Sequence, residues 1–190
     1  MSAETDLMQA RLPAGVVLRR LTVHADPRGS LKEIYRQEWG PCDAVQFNCV
    51  VSAPNVLRGV HVHVEHSDHV VMVTGGMLLG LHDMRPWSPD FRLSCMRQLE
   101  AAEPVAAAIP PGVAHGFYFT NPSILVYGTS TYWDTGDELA CSWDAPELGL
   151  SWPTQNPLLS ERDSHPTSYA EVNERFLARW QTVHGSRVTA

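Results

Sequence analysis

Four histidines fall within nine residues, in Arg58-Gly-Val-His-Val-His-Val-Glu-His-Ser-Asp-His69. A lone histidine is usually structural, but packing does not account for four in one strand and the loop after it. Imidazole suits two tasks near neutral pH, proton transfer and metal ligation. In Val60-His61-Val62-His63-Val64 apolar and polar residues alternate, so a strand turns both histidines to one face and the valines to the other. A second segment, Pro110-Pro-Gly-Val-Ala-His115-Gly-Phe117, delivers His115 onto a strand through a tight turn. Three further stretches have a chemical and a plain reading. Asp26-Pro-Arg-Gly-Ser is a turn in which Arg28 either meets a phosphate or only turns the chain. Tyr127, in Val126-Tyr-Gly-Thr-Ser-Thr-Tyr132-Trp133, is either a proton carrier or core. Leu159-Ser-Glu-Arg-Asp163 is either a functional loop or a solvated one.

Composition narrows the chemistry. The chain has 190 residues and reads as a single domain over 1–190, with a core over about 14–163. Fourteen basic against 21 acidic side chains leave a net charge of −7, a poor match for nucleic acid or an anionic membrane. Lys32 is the single lysine. A Walker-A Gly-Lys-Ser/Thr is therefore absent, and Schiff-base chemistry would depend on Lys32 alone. No GxGxxG follows a strand, so a dinucleotide site is unsupported. Cys42, Cys49, Cys95 and Cys141 are scattered without a CxxC pair and read as reduced thiols. Residues 1–12 hold Glu4, Asp6 and Arg11 and no apolar run, so no signal peptide is expected. No apolar stretch is long enough for a bilayer, and the expected location is the cytoplasm.

The elements that must position these residues are short strands. Fourteen prolines and thirteen glycines separate runs rich in Val, Ile, Leu and aromatics at 16–23, 31–35, 44–51, 69–73, 77–81, 105–109, 115–119 and 124–127. That spacing predicts an all-β sandwich, barrel or jelly roll. The tail differs: a helix is predicted over about 168–182. Ser168 and Glu171 fit a capping box, and Val172, Phe176 and Trp180 form a stripe at intervals of four. Residues 1–12 and 184–190 are expected to be loose.

An HxH strand with a downstream PxGxxH turn is similar to cupin barrels, in which the two segments face each other inside a jelly roll. In metal-binding cupins the ligands come from these positions, here His61, His63 and His115. The fourth, usually a glutamate, would fall to Asp68 or His69.

Taken together, the motifs resemble the dTDP-4-dehydrorhamnose 3,5-epimerase family, over about residues 18–163. They are Asp26-Pro-Arg-Gly with Glu33; Gln46-Phe-Asn48; Val56-Leu-Arg-Gly-Val-His61; Gly75 through Asp83-Met-Arg85; Ile109-Pro-Pro-Gly-Val-Ala-His-Gly-Phe117; Tyr127; Trp143 through Pro153; and Leu159-Ser-Glu-Arg-Asp163. The resemblance implies an all-β cupin jelly-roll barrel with added N-terminal strands, a C-terminal helix and a homodimeric assembly. It implies a nucleotide-diphosphate sugar as substrate, no cofactor and no metal. The reaction implied is epimerisation of a 4-keto-6-deoxy sugar at C3, C5 or both, through an enolate. Within it His61 is the base, Asp163 its carboxylate partner and Tyr127 the acid, with Tyr132 the neighbouring candidate. Arg58 is implied for the enolate oxygen. His63, His115 and Arg162 are implied at the substrate, and Arg28, Glu33, Gln46 and Asn48 at the nucleotide end.

Three positions depart from the family pattern. Where a lysine usually lies near the sugar ketone stands His69, or Asp68 if the gap is placed one residue differently. The usual His-Tyr-Gln reads His61-Val-His63, and an aspartate in the strand before Asp83 is Leu79. Three other readings stay open: a sugar-nucleotide 3,4-ketoisomerase, a metal-dependent cupin using His61, His63, His69 and His115, and a non-catalytic sugar-nucleotide-binding cupin.

Overall fold

The structure, a computed structural model, describes residues 11–165 and 167–185. The loose ends expected over residues 1–10 and 186–190 lie outside the described residues. Twelve strands and one α-helix are described: β1 (Val17–Arg20), β2 (Val23–Asp26), β3 (Gly29–Lys32), β4 (Gln46–Ser52), β5 (Leu57–Val62), β6 (Asp68–Thr74), β7 (Gly76–Asp83), β8 (Ser94–Glu100), β9 (Val105–Ile109), β10 (Val113–Phe119), β11 (Ser123–Thr129), β12 (Leu139–Ala140) and α1 (Tyr169–His184). One antiparallel sheet runs β1-β9-β6-β11-β4 and the other β12-β5-β10-β7-β8, while β2 and β3 form a separate hairpin. The crossovers between the two five-stranded sheets make the expected jelly roll.

The strand period of two sorts the side chains into layers. Inward residues of both sheets, among them Leu18, Met72, Leu79, Leu81, Ile109, Phe119 and Leu125, form one core. The outward residues of β5 and β10 form a second. There Val60, Val62, Val64 and Ala114 pack under Leu148 and the Val172 and Phe176 stripe of α1. A third, smaller cluster of Leu21, Val71 and Ala106 backs the other sheet beneath Ile34 and Trp39.

The predicted helix begins as expected: Ser168 is its N-cap, and the hydroxyl accepts from Glu171 N–H. It runs on to His184, whose Nε2–H donates to Val64 O at 2.8 Å. At the other end Leu12 packs against the core, so both residues are placed where loose ends were expected. The run 16–23 splits in two, because β1 pairs with β9 and β2 turns away to pair with β3. β8 had no counterpart among the apolar runs. It is an edge strand of alternating polar residues that buries Leu99 and, unusually, Arg97.

Candidate active site

A cavity of about 160 Å³ opens between the two sheets, with Val50 and Leu125 of one sheet and Phe117 of the other as its apolar lining. The other residues facing it are polar, and the inward half of each strand supplies them. β5 contributes Arg58 and His61; β10, paired with it, sets His115 directly opposite His61. β6 supplies Asp68, and β11 supplies Tyr127 and Thr129. The loop residues Ser160, Arg162 and Asp163 close over the same space, together with Trp133 and Glu138. Gly59 makes the close pairing of β5 and β10 possible. Its φ is +107°, and a Cβ there would lie 2.8 Å from His115 O.

His61 Nε2 lies 2.8 Å from Asp163 Oδ1, although 102 residues separate them. A carboxylate only accepts, so Nε2 carries the hydrogen and Nδ1 keeps the lone pair. Burial alone would raise the Asp163 pKa. The hydrogen bonds from His61 and Ser160 and the Arg162 charge outweigh it and hold the carboxyl at about 2. Arg162 also forms an ion pair with Glu138. Arg58 donates from Nε to Ser52 Oγ at 3.1 Å, which fixes its guanidinium at the rim of the sheet. The Tyr127 phenol is raised by burial and by the Asp68 charge against the opposing pull of Arg58 and Arg162, so it keeps its proton at neutral pH.

A second polar group shares the cavity. His63, His66, Asp68 and His115 are each buried. Nδ1–H of His63 donates to Asp137 O at 3.2 Å, that of His66 to Asp137 Oδ2 at 2.8 Å, and that of His115 to Val113 O at 3.1 Å. Burial lowers His115 to about 4 and pushes Asp68 up to about 7. Asp137 is itself anchored by the backbone N–H groups of Val64 and Glu65.

Of the residues singled out in the sequence, His61, Asp163, Tyr127, Arg58, His63, His115 and Arg162 all face this cavity. Gln46 and Asn48 do not line it, but they lie on the same half-buried face of β4 as Val50, which does. Gln46 Nε2 donates to Asn48 Oδ1 at 3.0 Å, and Asn48 Nδ2 is buried without a partner among the described residues. Arg28 and Glu33 lie away from it, Arg28 at the β2–β3 turn on Asp26 and Glu33 on Arg36. Tyr132 is 77% exposed and off the cavity. His69 points the other way: its Nε2–H donates to Ile34 O at 2.7 Å and its ring packs edge-on against Tyr35. Of the two residues weighed at the family's lysine position, the alternation of β6 therefore turns Asp68 inward and His69 outward. Reasoning from the sequence passed over His66 and Asp137. His66 stood in the four-histidine run, but it follows the strand, where the period of two no longer predicts a direction.

The family model described as dTDP-4-dehydrorhamnose 3,5-epimerase matches residues 11–171. A dTDP-4-dehydrorhamnose 3,5-epimerase of Pseudomonas aeruginosa is 33% identical over 168 residues, covering 83% of this chain and 93% of its own length. Among solved structures, a 4-keto-6-deoxy sugar epimerase of Streptomyces spheroides superposes with a TM-score of 0.79 at 28% identity, over 87% of this chain and 88% of that one. A 3'-monoepimerase from Streptomyces bikiniensis in complex with dTDP-quinovose does so with a TM-score of 0.74 at 27% identity, over 88% and 96%.

Proposed function

Since the chain belongs to the dTDP-4-dehydrorhamnose 3,5-epimerase family, we propose that it inverts C3, C5 or both of a nucleotide-diphosphate-linked 4-keto-6-deoxy sugar. The observation that carries the reading is the His61–Asp163 pair at 2.8 Å, facing a cavity between the sheets. A ketone acidifies the C–H bonds beside it. In this reading His61 takes that proton on Nδ1, the C–H electron pair becomes a C=C bond, and the carbonyl pair moves onto oxygen as an enolate. Asp163 accepts from Nε2–H throughout and so stabilises the imidazolium that forms.

The enolate oxygen needs a fixed positive donor, and Arg58, held by Ser52, is suited to it. Tyr127 then protonates the carbon from the opposite face, which inverts the centre. Its burial in the same cavity supports that role. His63, His115 and Arg162 are assigned to the sugar. Arg28, Glu33, Gln46 and Asn48 are assigned to the nucleotide end, some of them in a partner subunit, since an arginine fork matches diphosphate oxygens. dTDP is the nucleotide of choice for testing, because the related 3'-monoepimerase was solved with dTDP-quinovose. A homodimer is part of the same proposal.

The test is incubation with a dTDP-4-keto-6-deoxy sugar in D2O, followed by NMR. Deuterium at C3 or C5 with the carbonyl still at C4 supports epimerisation. A carbonyl moved to C3 would make the enzyme a ketoisomerase, and binding with no exchange at all would make it a non-catalytic sugar-nucleotide protein.

A further inference from the structure

We propose that His63, His66 and Asp68, with His115 beside them, form a binding site for one divalent transition-metal ion, held by the Nε2 atoms of His63 and His66 and one carboxylate oxygen of Asp68. Asp68 Oδ2 is buried and has no hydrogen-bond partner among the described residues. It lies 3.4 Å from His115 Nε2, 3.7 Å from His63 Nε2 and 3.9 Å from His66 Nε2. None of the three contacts is a hydrogen bond. Their lengths approach the spacing between ligands that share one ion, since metal–ligand bonds of about 2.0–2.1 Å in a tetrahedron set ligand atoms about 3.3 Å apart. Ligand atoms of His63, His66 and Asp68 all fall within 4.8 Å of one another; His115 lies outside that set and reaches it only through Asp68.

The hydrogen bonds behind the rings point the same way. Each of the three imidazoles donates Nδ1–H outward, to Asp137 or to Val113 O, and turns the lone pair of Nε2 toward Asp68. An outward N–H held by a carbonyl or carboxylate is what fixes a metal-ligating histidine. A buried carboxylate oxygen without a partner is costly, and a cation offsets that cost. Two imidazole nitrogens and one carboxylate oxygen suit Zn²⁺, Co²⁺ or Fe²⁺ better than Mg²⁺ or Ca²⁺. This set differs from the metal reading considered in the sequence. His61 is engaged by Asp163, and His69 leaves the cavity for Ile34 O. His66 takes the place of His61, and of the two residues weighed as the fourth ligand it is Asp68 that faces the cavity. The ion and the proposed base therefore do not compete for one nitrogen, and with the ion bound His63 meets the sugar through the ion rather than directly.

The site stands on its own geometry and is read by binding, so its failure and that of the epimerase reading are distinguishable. Protein purified without chelator is assayed for metal, then stripped and titrated with Co²⁺. The expected result is one ion per chain, visible Co²⁺ d–d bands, displacement by Zn²⁺ and a metal-dependent rise in Tm. His66→Ala and Asp68→Asn should each weaken binding by at least about 100-fold. His24→Ala, on the exposed hairpin, should leave it unchanged. X-ray absorption at the zinc edge of wild-type protein should count two imidazole nitrogens, a readout that needs no variant to fold. A wild-type chain that takes up no Co²⁺ or Zn²⁺ overturns the proposal. So does binding that survives in both His66→Ala and Asp68→Asn.

Discussion

His61 has two ring nitrogens, and Asp163 decides which is used for orientation and which for chemistry. His61→Ala should lower deuterium wash-in from D2O by about 10²–10⁴-fold, the usual worth of a positioned base. Tyr127→Phe should slow product formation more than exchange, because exchange needs only the base. If Tyr127→Phe is silent in both assays, the acid is another group. The carboxylate also links stability to pH. Its pKa is held at about 2 against the ordinary 3.8, so its contribution is complete above about pH 4 and is lost as pH falls through about 2. That contribution is on the order of 2 kcal/mol. In urea unfolding, wild type should exceed Asp163→Asn by about that much at pH 5, and the gap should close toward pH 2. A gap independent of pH would mean that the pair does not hold the carboxylate charged. His61 and His63 announced themselves through type and spacing. Asp163 did not, because a charged loop residue 102 positions away looks solvated until the chain folds it inward.

Alternation along the strands turns a linear pattern into a site. The same β5 that presents His61 to the cavity buries Val60 and Val62 beneath α1. Truncating the helix stripe should therefore loosen the site from behind. Phe176 is fully buried, and Phe176→Ala should cost about 3–5 kcal/mol in chemical denaturation. Ser168→Ala, which removes the N-cap, should cost about 1 kcal/mol. Gly59→Ala should cost more than the cap, since the added Cβ meets His115 O and the backbone lies at a φ that L-residues rarely adopt. A Gly59→Ala protein as stable as wild type would mean that β5 and β10 can part without loss. The period of two was readable in Val60–Val64 and in the helix stripe because each buries one apolar face. It was not readable at Asp68-His69, where both residues are polar and both are buried on opposite sides of β6. Nor was it readable in β8, whose side chains are mostly polar.

At the scale of the whole molecule, the first sheet ends at β4, whose outward residues include Phe47 and the 72%-exposed Val51. The β2–β3 hairpin likewise shows Leu31 to solvent. An edge strand with apolar side chains invites pairing, and a second copy of the chain is the proposed cover. Sedimentation velocity should give a dimer, and Val51→Glu should shift it toward monomer. A wild-type monomer at micromolar concentration would remove the dimer from the proposal. No helix among the described residues is long and apolar enough to cross a membrane. By itself the sequence determined the strand-rich class, the capped C-terminal helix, the histidine-bearing strand and the family, because these rest on local periodicity and on motif order, which survive without coordinates. Only the tertiary structure decided that Asp163 comes within 2.8 Å of His61, that Asp68 rather than His69 enters the cavity, and that three imidazoles converge on one carboxylate oxygen. Those contacts join residues from separate strands and loops, and their distances depend on sheet register and loop closure, which no local pattern encodes.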